Sequence, residues 1–164
     1  MTEPNDPSIE NPSDHSDHPD AMDDLDDPEV EARWLHERRE EILAYLHGEG
    51  LQDARVGEEP AWWVAPYVAI WGVVSSQDPD TVTRWAICGD VPGDHVSVDR
   101  AADPREAMRA FATLWAEAAT YMARGERHPT FMIGDGSQHA ELAPMLASRA
   151  ELLQEWADDS ELWD

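Results

Sequence analysis

PAWWVAPYVAIWGVV, residues 60–74, is apolar on both of its alternating faces. A strand with one wet face would alternate apolar and polar; this run suits a strand covered from both sides. Pro66 has no N–H to donate to a ladder, so regular pairing is expected to begin after it. On that reading Trp63, Tyr67 and Trp71 share one face of the first strand. The turn residues Gln77, Asp78, Pro79 and Asp80 lead into a second strand, Thr81 to Cys88. It places Thr83, Trp85 and Ile87 on one side and Val82, Arg84, Ala86 and Cys88 on the other. The two runs make an antiparallel hairpin. A second turn, GDVPGD at residues 89–94, precedes a short third strand from His95 to Val98.

Helices are expected on both sides of this apolar centre. Asp27-Pro28-Glu29 puts a capping acid before a proline at the first helical position, where a missing N–H costs nothing and negative charge meets the helix dipole. The helix should run to about His47. Trp34, Leu35, Ile42, Leu43 and Leu46 form its apolar face, the Arg38 stem lies along the same side, and Gly48 and Gly50 end it. Asp103-Pro104-Arg105-Glu106 starts a second helix, with Met108, Phe111, Leu114, Trp115, Ala118 and Met122 at spacings of three and four, ending near Arg124-Gly125. After a loop containing GDGS at residues 134–137, Leu142, Met145 or Leu146, Leu153 and Trp156 outline a last helix. Pro144 must start or kink it, and Ser137 is expected to cap it. Strands and helices are segregated along the chain. The fold class is therefore α+β: a small antiparallel sheet, a hairpin or three-stranded meander, packed by about three helices.

Residues 1–27 contain Pro4, Pro7, Pro12 and Pro19 among dense Asp, Ser and Asn, with almost no apolar side chain. Such a segment cannot offset its ordering entropy and reads as a disordered acidic tail ahead of a single domain over residues 28–164. The whole chain has 36 acids against 11 bases, a net charge of -25. Eleven of the acids fall in residues 1–29, which hold no arginine, so 25 acids face 11 arginines in the remainder. That field repels nucleic acid and anionic membrane surfaces and attracts cationic partners. No apolar run approaches the length of a membrane span. With one cysteine, Cys88, and no apolar leader, the expected compartment is the reducing cytoplasm.

All eleven bases are arginine. Without lysine there is no phosphate-binding P-loop, no pyridoxal phosphate or Schiff-base chemistry and no Ser-Lys hydrolase. A lone cysteine leaves no cysteine-ligated zinc or iron–sulfur cluster and no dithiol redox couple. No cofactor and no metal site are expected.

The order Pro60-Ala61-Trp62, Ala65-Pro66-Tyr67-Val68-Ala69-Ile70-Trp71, Trp85-Ala86-Ile87, Gly89-Asp90-Val91-Pro92 and Asp103-Pro104-Arg105-Glu106-Ala107 resembles a bacterial family known only as domain of unknown function 4826. The resemblance covers roughly residues 29–125. It implies no activity, cofactor or substrate. Serine is common in the family where this chain has Cys88, which argues against a catalytic thiol.

Cys88 has acids, Asp90 and Asp94, as sequence neighbours, and reactive thiols need an electropositive setting, so it reads as structural. The cluster Asp14-His15-Ser16-Asp17-His18 lies in the tail and lacks the preorganisation that a metal site needs. Core packing accounts for most of the aromatic set Trp62, Trp63, Tyr67, Trp71 and Trp85, and if Trp62 and Trp63 straddle the strand at least one large ring is left near the surface. Aromatic rings beside acids suit cationic or amphipathic ligands. The candidate binding residues are Trp62, Tyr67, Trp85, Asp90, Asp94 and His95, and the leading expectation is a non-enzymatic module for a basic protein or peptide. An immunity or antitoxin-like protein covering a cationic toxin is one form of it. Two alternatives remain open: a small hydrolase or transferase using Asp90, Asp94 and His95 as acid–base groups, which must then converge within hydrogen-bond reach, and a domain that homo-oligomerises through hairpin aromatics. The sequence does not determine the oligomeric state.

Overall fold

The computed structural model describes residues 27–131 and 139–163. Helix α1 spans Pro28–Gly48, and the Asp27 carboxylate accepts the Glu29 N–H at 2.9 Å to cap it. Five strands follow: β1 (Ala54–Val56), β2 (Trp62–Val64), β3 (Val68–Ser75), β4 (Arg84–Gly89) and β5 (Asp94–Ser97). Helix α2 (Pro104–Ala123) is capped by the Asp103 carboxylate, which accepts the Glu106 N–H at 2.8 Å. Helix α3 (His139–Asp158) and a 3-10 turn, Ser160–Trp163, complete the described chain.

All strand pairings are antiparallel, and β3 is the hub. One edge of β3 pairs with β4, and β4 with β5. The other edge is shared end to end, β2 pairing with Val68–Ile70 and β1 with Val73–Ser75. Successive β3 residues face opposite layers. Val68 and Ile70 join Trp85 and Ile87 of β4 against α2 and α3, where Met108, Phe111, Trp115, Leu146 and Leu153 are buried. Ala69, Trp71 and Val73 join Ala86 and Cys88 against Ile42 and Leu46 of α1. The fold is thus α+β in three layers, with α1 on one face of the sheet and α2 and α3 on the other. Four alanines, Ala112, Ala119, Ala143 and Ala150, are buried where α2 meets α3, and such small side chains let the two helix backbones approach closely.

Several expectations need correction. The sheet has five strands, more than a hairpin or three-stranded meander. β1 had no strand signal in its short, partly charged segment. Residues 60–74 are two strands: the chain reverses at Ala65-Pro66-Tyr67, where the Tyr67 N–H donates to the Val64 carbonyl at 2.8 Å. Pairing therefore occurs on both sides of Pro66. Trp63 and Trp71 do share the α1 face, but Tyr67 sits in the turn and packs toward Trp156 on the opposite side. Helix α3 begins before Pro144 and contains it. Pro144 and Ala140, whose carbonyl a residue-144 N–H would have met, are both exposed, so water can take that carbonyl. The tail read over residues 1–27 lies, apart from Asp27, outside the described residues, as does the GDGS segment with the Ser137 cap. Among the described residues no helix is long and apolar enough to cross a membrane.

Gly89, the last residue of β4, has a φ of 127°, and a Cβ there would stand 2.2 Å from the Tyr67 carbonyl oxygen. Backbone on backbone cannot yield as a side chain can. Gly89→Ala is expected to destabilise the fold by at least about 2 kcal/mol in urea denaturation. A loss under about 0.5 kcal/mol would contradict this packing.

Candidate functional site

The close approach at Gly89 ties two turns together. The Asp90 N–H donates to the Tyr67 carbonyl at 2.7 Å. From α3, Arg149 donates through Nε to the Asp90 carbonyl at 2.7 Å and through a terminal nitrogen to the Asp90 carboxylate at 3.0 Å. The β2–β3 turn, the turn after β4 and α3 thus meet at one end of the sheet.

A row of four rings runs along this junction. Trp163 stacks on Trp62 with centroids 4.7 Å apart and planes 14° from parallel. Trp62 lies 6.0 Å from Trp156, and Trp156 lies 6.4 Å from Tyr67. Two of the three indole N–H groups within the row are used internally: Trp62 Nε1 donates to the Leu162 carbonyl at 3.0 Å and Trp163 Nε1 to the Trp156 carbonyl at 2.9 Å. Trp62, Trp156 and Trp163 are half-buried, while Tyr67 at 49% is the exposed large hydrophobic residue of the described chain. Beside the stacked pair is a cleft of about 530 Å³ lined by Ala61, Trp62, Asp103, Pro104, Arg105, Leu162 and Trp163.

Arginines around the row are engaged by backbone carbonyls and carboxylates, with Arg109 still well exposed. Arg105 and Arg109 both donate to the Ala157 carbonyl, at 2.7 and 3.2 Å, and Arg109 also pairs with Asp158 at 3.5 Å. Arg149 is taken by Asp90. Elsewhere Arg39 donates to the carbonyls of Gly57 and Val56, and Arg55 to that of Ala54. Meanwhile Asp103, Glu106, Glu155, Asp158, Asp159 and Glu161 are exposed. These six carboxylates outnumber Arg105, Arg109 and Arg149, so the groups around the row carry an acid excess.

The remaining candidates lie elsewhere. Trp85 is in the core, its Nε1 donating to the Ala101 carbonyl at 2.9 Å. Asp94 accepts Trp115 Nε1 at 2.9 Å on the α2 side and the backbone N–H of His95 at 2.8 Å. His95 faces Arg84, 3.2 Å from Nδ1, and Glu49, 3.8 Å from Nε2, with the Tyr45 ring 6.0 Å away. Gly93 leaves room for that ring, since a Cβ there would meet Tyr45 Cδ1 at 2.9 Å. Asp94 and His95 are neighbours that share Glu49 and Tyr45, although no hydrogen bond joins their side chains, whereas Asp90 is held by Arg149. The structure brings together Trp62, Tyr67 and Asp90, and adds Trp156, Trp163 and Arg149. Trp156 was visible in the sequence only as a helix-face residue. Nothing in the sequence signalled the Arg149–Asp90 contact across 59 positions or the return of Trp163 onto Trp62.

Cys88 is buried, its thiol donating to the Arg38 carbonyl at 3.7 Å. Burial, with Glu41 nearby, pushes its pKa up to about 12, so it stays a thiol at neutral pH. Burial first and then Arg84 hold the His95 pKa below the usual histidine value. A histidine harder to protonate folded than unfolded contributes stability above its unfolded pKa of about 6.5, and that stability is lost as pH falls through this value toward the folded one. Glutamine keeps an acceptor for Arg84 and cannot titrate. His95→Gln is expected to gain in melting temperature relative to the parent as pH falls from about 7 to about 5; a difference that stays constant with pH would contradict the assignment.

Three comparisons bear on identity. A family model described as Domain of unknown function (DUF4826) matches residues 29–163, extending through α3 and the 3-10 turn beyond the segment whose motifs carried the resemblance. Comparison with curated proteins gave no match, and comparison with solved structures gave none. The matched span takes in every element from α1 to Trp163, and the chain belongs to the family described as Domain of unknown function (DUF4826).

Proposed function

We propose that this domain is a non-catalytic binding module for a basic protein or peptide, acting in the cytoplasm, with the Trp62–Trp156–Tyr67 row as its contact surface. The observation that carries the reading is an aromatic row that ends at exposed Tyr67, with exposed Asp103 on the cleft beside its Trp163 end, while nearby arginines are engaged with Ala157 and Asp90. An aromatic face attracts a guanidinium or ammonium through its quadrupole, and adjacent carboxylates add charge-assisted hydrogen bonds. The net negative charge would speed encounter with a cationic partner and oppose approach to nucleic acid. Tyr67 brings contact area with few rotatable bonds, so little entropy is lost when it is covered.

A blocked Arg-Arg-Trp-Arg-Arg peptide is a suitable probe. Calorimetry should show binding that weakens as salt rises from about 50 to about 300 mM. Tyr67→Ala, at an exposed turn position, should leave folding stability within about 0.5 kcal/mol and weaken binding about fivefold. Binding insensitive both to salt and to Tyr67→Ala would reject the surface.

A further inference from the structure

Arg84 is half-buried without the partners that other arginines of the domain have. Arg38 and Arg149 pair with carboxylates, and Arg39 and Arg105 donate to backbone carbonyls. Among the described residues Arg84 has neither: its protein partner is the Nδ1 nitrogen of His95, 3.2 Å from a terminal guanidinium nitrogen. A guanidinium carries five N–H donors in a planar fork that matches a carboxylate. Most of that fork has no protein acceptor, in a chain with 36 acids against 11 bases.

The fork borders a cleft. Helix α1 ends at Gly48, and the chain that follows, Gly50 to Ala54, forms one wall of a cavity of about 240 Å³ whose lining also includes Val73, Ser75, Thr83 and Arg84. Sheet register explains the grouping: Arg84 lies beside Val73 and Ala54 beside Ser75, and Val73 and Ser75 share one face of β3. The volume is that of about eight water molecules, which suits one small molecule rather than a peptide. Asp53, on the same lining, is exposed, and its carboxylate accepts the hydroxyls of Ser75 and Ser76. These donors hold its pKa below the usual carboxylate value, so it is ionised at neutral pH. Leu51, Ala54 and Val73 give the cleft apolar surface. A bare anion would be opposed by Asp53 and by the net charge of -25, whereas a zwitterion carries no net charge to be repelled.

We propose that this cleft is a binding site for a small amino acid, with its carboxylate on Arg84, its ammonium on Asp53 and its side chain against Leu51, Ala54 and Val73. A carboxylate gives Arg84 the charge-assisted bidentate partner that the imidazole does not. The site is independent of the aromatic row, none of whose rings lines it.

The test is thermal denaturation of the full-length protein with each proteinogenic amino acid at about 10 mM. An amino acid present at about a hundred times its Kd should raise the melting temperature by about 5 °C. For the strongest responder, the matching acid without the amino group and the matching amine without the carboxyl group should each raise it by less than about 1 °C. Arg84→Gln and Asp53→Asn, each read against its own ligand-free melting temperature, should lose the response, and Tyr67→Ala should keep it. Where one of the two site variants does not fold, the other and the two analogues decide. No shift with any amino acid, a shift that persists in either folded site variant, or an analogue as effective as the amino acid would overturn the assignment.

Discussion

Every other feature of the domain follows from the double burial of β3. Val68, Ala69, Ile70 and Trp71 have no solvent exposure at all, so the strand requires a complete layer on each side. One helix suffices on the α1 face because its centre carries mostly small side chains: Ala69, Ala86 and Cys88 surround the buried Trp71, with Trp63 only partly buried. The opposite face carries Val68, Ile70, Trp85 and Ile87, and needs the paired helices α2 and α3. Full burial of each large aliphatic or aromatic side chain contributes about 1.5–3 kcal/mol, and here both helical layers obtain it from a single strand.

The same constraint places the aromatic row. β3 must begin immediately after a reversal, so that β2 can pair back along Val68–Ile70. That reversal leaves Tyr67 at the end of the sheet and sends Trp62 to the α3 face while Trp63 goes to the α1 face, its Nε1 bound to Glu31 at 3.0 Å. Gly89 then fits beneath the Tyr67 carbonyl, and Arg149 clamps Asp90 from α3. The geometry that closes the sheet end is therefore also what lines up Trp62, Trp156 and Tyr67. Surface charge follows a similar logic. Backbone carbonyls at Val56, Gly57, Ala54 and Ala157 are met by four of the arginines, and the acid excess itself comes from 36 acids against 11 bases.

Much of this was legible in residues and spacings. Helices α1 and α2 carry strong start signals in Asp27-Pro28 and Asp103-Pro104, and both capping carboxylates bond as those signals imply. The alternation in β4 put Trp85 and Ile87 against one layer and Ala86 and Cys88 against the other. The division of residues 60–74 was not legible, because a run apolar on both faces has the same periodicity before and after a tight reversal. β1 escaped because its pattern, two apolar residues about Arg55, is too short to stand above noise. At the site, Trp62, Tyr67 and Asp90 were identified from type and neighbourhood. Trp85 was not separable from them, since its burial depends on α2 and on the Ala101 carbonyl. Arg149 and Trp163 required the tertiary arrangement itself, because their partners lie 59 and 101 positions away in the chain.

The central claim is that six of the eight tryptophans divide into a packed set, Trp71, Trp85 and Trp115, and a responsive set, Trp62, Trp156 and Trp163, with Trp34 and Trp63 on the α1 side. The eight indole N–H resonances of the nitrogen-15-labelled protein report on both at once. Titration with the blocked Arg-Arg-Trp-Arg-Arg peptide should shift the Trp62, Trp156 and Trp163 signals together and leave those of Trp71, Trp85 and Trp115 in place. Shifts confined to signals outside the row, or no shift at saturating peptide, would contradict the account.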